Sequence, residues 1–179
     1  MPTRETLPAK RPLTSAPAPI GDSNANKVLN LGQMMEPIGP LHSLNFMSNA
    51  ILIVEDEMLV ALEMQSILED HGYEVLGLAA DLKGAMAYAE RGVALALVDL
   101  NLRDGLTGPE IGARLANQFK TAVLFVTANP RLLGDGVAGT IGVLTKPTDE
   151  RSLLSAVRFA LARRSGEATE APPFIRCFG

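Results

Sequence analysis

Two periods of apolar and polar positions alternate along the middle of this chain. Short apolar runs occur at 51–54, 93–98, 122–126 and 141–144. Each is too short for a helix and is bounded by turn-forming or polar residues, so each reads as a buried strand. Tyr73 to Leu78 reads as a further strand. Between them the period changes to that of a helix. Val60, Met64, Ile67 and Leu68 recur on one face and are closed by Gly72. Asp81 is placed to cap a helix carrying Ala85, Tyr88 and Ala89 as far as Gly92. Pro109 suits the first turn of a third helix with Ile111, Leu115 and Phe119 on one side. Thr148, followed by Asp149 and Glu150, starts a last helix bearing Leu154, Val157 and Leu161, with Arg163 and Arg164 where the helix dipole favours cations.

Strands alternating with helices in this way predict an α/β fold: a doubly wound parallel sheet of five strands, covered on both faces. One interval is irregular. Pro130, Gly134, Gly136 and Gly139 leave at most a turn of helix at 131–133, so the fourth helix is expected to be short or absent.

The ends of the chain differ in kind from its middle. Seven prolines fall within the first forty residues, among Ser, Asn, Gly and Ala and without a sustained period. Residues 1–48 therefore read as a disordered Pro-rich extension, 49–165 as the folded domain and 166–179 as a C-terminal tail. Met47 is a candidate alternative start just before the first strand. The tail has some apolar character in Phe174, Ile175 and Phe178, which leaves open whether it docks on the domain or on a partner. The one cysteine, Cys177, reads as an exposed tail thiol.

A formal charge of −4 with no cluster of Lys and Arg argues against a nucleic-acid partner. No apolar run approaches a membrane span and no start resembles a secretory signal, so the expected location is the cytoplasm, away from the membrane.

Four of the strand runs end in residues that phosphoryl chemistry uses: Glu55-Asp56, Asp99, Thr127 and Lys146. Taken singly, each has a plain structural reading. Asp56 could cap the first helix, Glu55 could be a solvated loop carboxylate, and Asp99 could cap the loop of sequence LRDG. Thr127 could cap a turn before Pro130, and Lys146 could be a surface charge before Pro147. Taken together they would meet at one edge, because parallel strands deliver the residues beyond their carboxyl ends to a common crevice. There Glu55, Asp56 and Asp99 would offer hard oxygen ligands to Mg²⁺. Lys146 would stabilise charge on a phosphoryl oxygen, and Thr127 would donate a hydrogen bond to another.

With ILIVEDE, ALALVDLNLRDGLTG, LFVTA and LTKP at these boundaries, the chain from about Ala50 to Arg164 resembles the receiver domain of two-component response regulators. The resemblance implies the flavodoxin-like strand order 2-1-3-4-5. It implies that Asp99 is the phosphoacceptor, that Glu55 and Asp56 are the acidic metal-binding pair, and that the backbone carbonyl of Asn101 completes a Mg²⁺ site. Thr127 matches the hydroxyl residue that moves towards the phosphoryl group, Lys146 the family's lysine, and Lys146-Pro147 its usual cis peptide. The implied partner is a histidine kinase or histidine phosphotransfer protein. The implied activity is phosphoryl acceptance with at most weak autophosphatase activity, not that of an enzyme.

Two departures bear on output. Val143 stands where most receivers place an aromatic switch, three residues before the lysine. FVTANPRLLGDG with its degenerate fourth helix is similar to a divergent, single-domain subgroup of alphaproteobacterial general-stress-response signalling, although Asn129 stands near where that subgroup carries an aromatic. Only 15 residues follow Arg164, so the expected output is a protein contact or phosphate storage. Two other readings are weighed. A pseudo-receiver would bind partners without phosphorylation, but the acidic pair and lysine are complete. An aspartate-nucleophile phosphatase needs a second Asp two residues after the nucleophile, where Asn101 stands.

Overall fold

The computed structural model describes residues 49–178. The extension expected over residues 1–48, and Met47 within it, lie outside the described residues. Elements follow in the order β1 (Ala50–Val54), α1 (Met58–Asp70), β2 (Glu74–Ala79), α2 (Leu82–Ala89), β3 (Leu95–Val98), α3 (Gly108–Phe119), β4 (Ala122–Thr127), β5 (Gly142–Thr145), α4 (Glu150–Arg164) and β6 (Ile175–Cys177). The irregular interval between β4 and β5 holds a single 3₁₀ turn, Pro130–Leu133, in place of a helix.

The strands form one sheet in the order β2-β1-β3-β4-β5-β6. The first five are parallel, in the order expected. The expectation of five strands in all is corrected by β6, which joins the free edge of β5 in antiparallel register, with Gly142 opposite Cys177, Val143 opposite Arg176 and Leu144 opposite Ile175. A three-residue strand is too short for its alternation to stand out in sequence, which is why the tail hid it.

Alternation within the strands sorts the core into two layers. Ile51 and Ile53 of β1 face α1 and α4, packing with Met64, Leu68, Leu153, Val157 and Ala160. Leu52 and Val54 face α2 and α3, packing with Ala85, Ala89, Ile111 and Leu115. β1, β3 and β4 are buried throughout, as strands covered on both faces must be. Each fully buried Leu or Ile contributes roughly 1.5–3 kcal/mol of apolar transfer free energy, so this double layer carries most of the fold's stability.

Helix ends follow local chemistry. Asp81 caps α2, accepting from Gly84 N at 2.7 Å. Pro109 sits in the first turn of α3. The cap of α4 is Asp149, which accepts from Ser152 N at 2.6 Å, and not Thr148. A carboxylate one residue later is the better acceptor for orphan amides and suits the helix dipole, while Thr148 Oγ1 is buried without a hydrogen-bond partner.

Candidate phosphoryl-acceptor site

Backbone pairing carries the candidate residues to one edge. Glu55 N donates to Ala79 O at 2.8 Å, Asp99 N to Val54 O at 2.9 Å and Lys146 N to Thr127 O at 2.9 Å. These bonds extend the ladders by one residue past the strands, so the side chains just beyond them start from a rigid sheet. Carboxylate oxygens of Glu55, Asp56 and Asp99 all lie within 4.8 Å of one another. Glu55 is buried, Asp99 half-buried and Asp56 exposed, so the cluster opens towards solvent through Asp56. Such a set of hard oxygens fits an octahedral Mg²⁺ with water on its open side.

Lys146 lies at the base of the cluster. Its Nζ donates to Glu55 Oε2 at 2.5 Å and to Asp99 Oδ2 at 3.2 Å. Burial pushes the Glu55 carboxyl above the usual carboxylate range, and the hydrogen bond and charge of Lys146 offset only part of that rise. Burial works against the Lys146 ammonium too, but the hydrogen bond to Glu55 and the charge of Asp99 outweigh it and hold the group above its ordinary value. The second oxygen of Asp99 accepts from Leu100 N at 2.7 Å, which fixes the rotation of the carboxylate. The Lys146-Pro147 peptide is cis.

Thr127 is buried at the end of β4, and its Oγ1 accepts from Asn129 N at 3.2 Å. Thr127, Asn129, Asn101, Asp56, Asp99 and Lys146 line one cleft of about 310 Å³. All of the sequence-expected site residues other than the deeper Glu55 therefore border the same space, and Glu55 reaches it through Lys146.

Other residues support the site without having been singled out. The loop after β3 is held by Asp104, which accepts from Leu82 N at 2.9 Å and Thr107 Oγ1 at 2.6 Å, and by an ion pair between Arg103 and Asp81. A side-chain anchor of that loop is thus Asp104, while Asp99 keeps Oδ2 on Lys146 and Oδ1 on the Leu100 amide. Gly108 is a second supporter: a Cβ there would lie 2.1 Å from the carbonyl oxygen of Asp99. Its signal in sequence was only a glycine before Pro109, which also suits an ordinary turn.

An acidic triad and a bridging lysine thus stand together at the carboxyl ends of the parallel strands of the sheet. The chain belongs to the response regulator receiver domain family, whose model matches residues 51–158. It is 35% identical over 86 residues to the phyllosphere-induced regulator PhyR of Methylorubrum extorquens, covering 47% of this chain and 32% of that protein. It is 40% identical over 125 residues to the uncharacterized transcriptional regulatory protein YkoG of Bacillus subtilis, covering 67% of this chain and 54% of that one. The matches thus span from about a third to about half of these relatives' lengths. The solution structure of the PhyR receiver domain of Erythrobacter litoralis superposes with a TM-score of 0.55 at 28% identity, covering 70% of this chain and 96% of that domain. Relatives of the PhyR type accord with the resemblance to alphaproteobacterial general-stress-response receivers noted in the sequence, while the matched PhyR protein is itself longer than a receiver domain. Among the described residues, no helix is long and apolar enough to cross a membrane.

Proposed function

We propose that this protein is a cytoplasmic, single-domain response regulator whose Asp99 accepts a phosphoryl group from a histidine kinase or a histidine phosphotransfer protein. The receiver unit is 49–165, with 1–48 as an extension and 166–179 as a tail that docks on the sheet through β6. The observation that carries the reading is the convergence of Glu55, Asp56 and Asp99 within 4.8 Å, with Lys146 bridging two of them. In the transfer, an Asp99 carboxylate oxygen forms a bond to phosphorus as the bond from phosphorus to the donor histidine nitrogen breaks, and the imidazole leaves with that electron pair. Two anions must approach for this to happen. Mg²⁺ held by Glu55, Asp56, Asp99 and the Asn101 carbonyl would supply the charge that screens them. Lys146, already 3.2 Å from Asp99, is placed to pair with one phosphoryl oxygen. Thr127 would donate its hydroxyl hydrogen to another once Oγ1, which now accepts from Asn129 N, turns towards it.

Output then runs through contact with another protein or through phosphate storage. Val143 is 1% exposed and aliphatic, so no buried ring is available at that position to turn outward, and the segment after Thr127 becomes the element that responds. The deciding experiment is labelling with a small phosphodonor and Mg²⁺, read by mass spectrometry on wild type and Asp99→Asn. One phosphoryl group on the wild type and none on the variant is expected. Undiminished labelling of the variant overturns the assignment, and absence of labelling from the donor and from a panel of kinases favours a partner-binding pseudo-receiver. The panel also identifies the cognate kinase.

A further inference from the structure

Three glycine-dependent features converge on β6. A Cβ on Gly136 would fall 2.5 Å from Phe178 Cγ, and Gly136 has φ +116°, a conformation that suits glycine. A Cβ on Gly142 would fall 2.5 Å from the Arg176 carbonyl oxygen. Gly134 offers its carbonyl to Arg176 at 2.7 Å. Gly134 and Gly136 of the irregular interval, together with Gly142 of β5, thus meet the chain at and just beyond β6.

Arg176 joins β6 to the 3₁₀ turn. Its two terminal nitrogens donate to Gly134 O at 2.7 Å and to Pro130 O at 2.9 Å. Pro130 O is the acceptor that a further α-helical turn would have bonded to the amide of residue 134, but here Gly134 N bonds Arg131 O at 3.2 Å. A side chain from the far end of the domain therefore satisfies carbonyls that the missing helix leaves open. Arg176 also stacks 5.3 Å over the ring of Phe178. Phe178 is 8% exposed, lies 6.3 Å from the Phe125 ring, and donates its amide to Ile141 O at 3.0 Å.

The turn that Arg176 holds begins at Asn129, whose amide is bonded to Thr127 Oγ1. We propose that β6 is a releasable latch, with Arg176 clamping the 3₁₀ turn in the arrangement that keeps Thr127 bonded to Asn129, so that phosphoryl capture at Asp99 loosens β6 from β5. This rests on the proposed function of Asp99 and Thr127. When the Thr127 hydroxyl turns to a phosphoryl oxygen, the Asn129 amide loses its acceptor, the turn shifts, and the two carbonyls no longer match the fork of Arg176. Coupling between two sites is reciprocal: if phosphoryl binding loosens the latch, loosening the latch must tighten phosphoryl binding.

The test uses the full chain with Mg²⁺ and beryllofluoride. Fluorine NMR reports whether the mimic is bound, and hydrogen exchange reports the latch. With the mimic bound, exchange is expected to rise about 5-fold or more at the Phe178 amide and across the β5–β6 pairing, together with altered protection from Asn129 to Thr140. Arg176→Ala is expected to tighten beryllofluoride binding by a comparable factor. Phe178→Ala, which loosens the same strand by different chemistry, is expected to do the same, and circular dichroism checks that both remain folded. A bound fluorine signal with unchanged exchange at β6, or unchanged affinity in both folded variants, overturns the latch and leaves the phosphoacceptor reading standing. Absence of any bound signal in the wild type overturns both.

Discussion

Lys146 Nζ lies 2.5 Å from Glu55 Oε2, a contact made across 91 residues of sequence. The pair sits where the side chains are 16% and 1% exposed, so neither charge is well served by water. Removing one partner of such a pair is more costly than the pair is stabilising, because it leaves the other charge buried alone.

Lys146→Met is therefore expected to lower stability without Mg²⁺ by on the order of 2–3 kcal/mol, less than for a fully enclosed pair because Lys146 keeps some solvent contact. Urea denaturation in the presence of a chelator measures it. Saturating Mg²⁺ should close much of the gap by neutralising the same carboxylates, and an equal loss with and without the ion contradicts this account.

Asp56 is the exposed member of the triad, and its oxygens add to a cluster that is already negative. Mg²⁺ is expected to raise the melting temperature of the wild type by linkage, by about 2.7 kcal/mol of stability at a hundredfold excess over Kd. In Asp56→Ala the increase should largely vanish. Equal stabilisation of both proteins by differential scanning fluorimetry would place the ion elsewhere.

Gly108 lets the start of α3 close on the end of β3, where a Cβ would meet the Asp99 carbonyl oxygen at 2.1 Å and Leu100 Cα at 2.6 Å. Both are backbone atoms that cannot swing aside. Gly108→Ala is expected to destabilise the domain by about 1–3 kcal/mol and to slow phosphoryl acceptance by tilting Asp99. Labelling at the wild-type rate in a destabilised Gly108→Ala protein would show that the carboxylate tolerates the shift.

Asp149 is held below the usual carboxylate range by the backbone amide and hydroxyl of Ser152. A depressed folded-state pKa means that the stabilisation is complete above the unfolded value of 3.8 and is lost as pH falls through the lower folded one. The melting temperature of Asp149→Ala should therefore trail the wild type at neutral pH and converge with it in strong acid. A gap that stays constant below pH 3.8 would assign the effect to packing instead of the cap.

Much of this architecture was legible because strand and helix periods are strong where both faces of a sheet are buried. β1, β3 and β4 are apolar at every position up to their ends, and the residue at the end of each becomes the exception that chemistry uses. The gathering of Glu55, Asp56, Asp99 and Lys146 followed from strand direction alone. The depth of Glu55 and its pairing with Lys146 did not, since neither is carried by local pattern. The helix starts one residue later than the sequence suggests because Thr148 and Asp149 are both good caps, and the carboxylate of Asp149, in extended backbone, is the one that reaches the Ser152 amide. β6 was missed for a deeper reason. Gly142 lies against Arg176 and Cys177, and Gly136 and Phe125 against Phe178 just beyond them, all remote in sequence, and a strand made by its neighbours leaves little trace in its own composition.

The antiparallel pairing of β6 also covers the edge that β5 would otherwise present. A strand edge with free amides and carbonyls is a template for any extended chain, and proteins guard such edges by covering them or placing charge there. Here β5, an apolar strand from the interior, is screened by a segment that turns Arg176 and Cys177 towards solvent. Colloidal behaviour thus depends on a few residues at the end of the chain. Whatever lifts them, whether truncation or heat, uncovers a sticky seam and invites edge-to-edge association that grows with concentration.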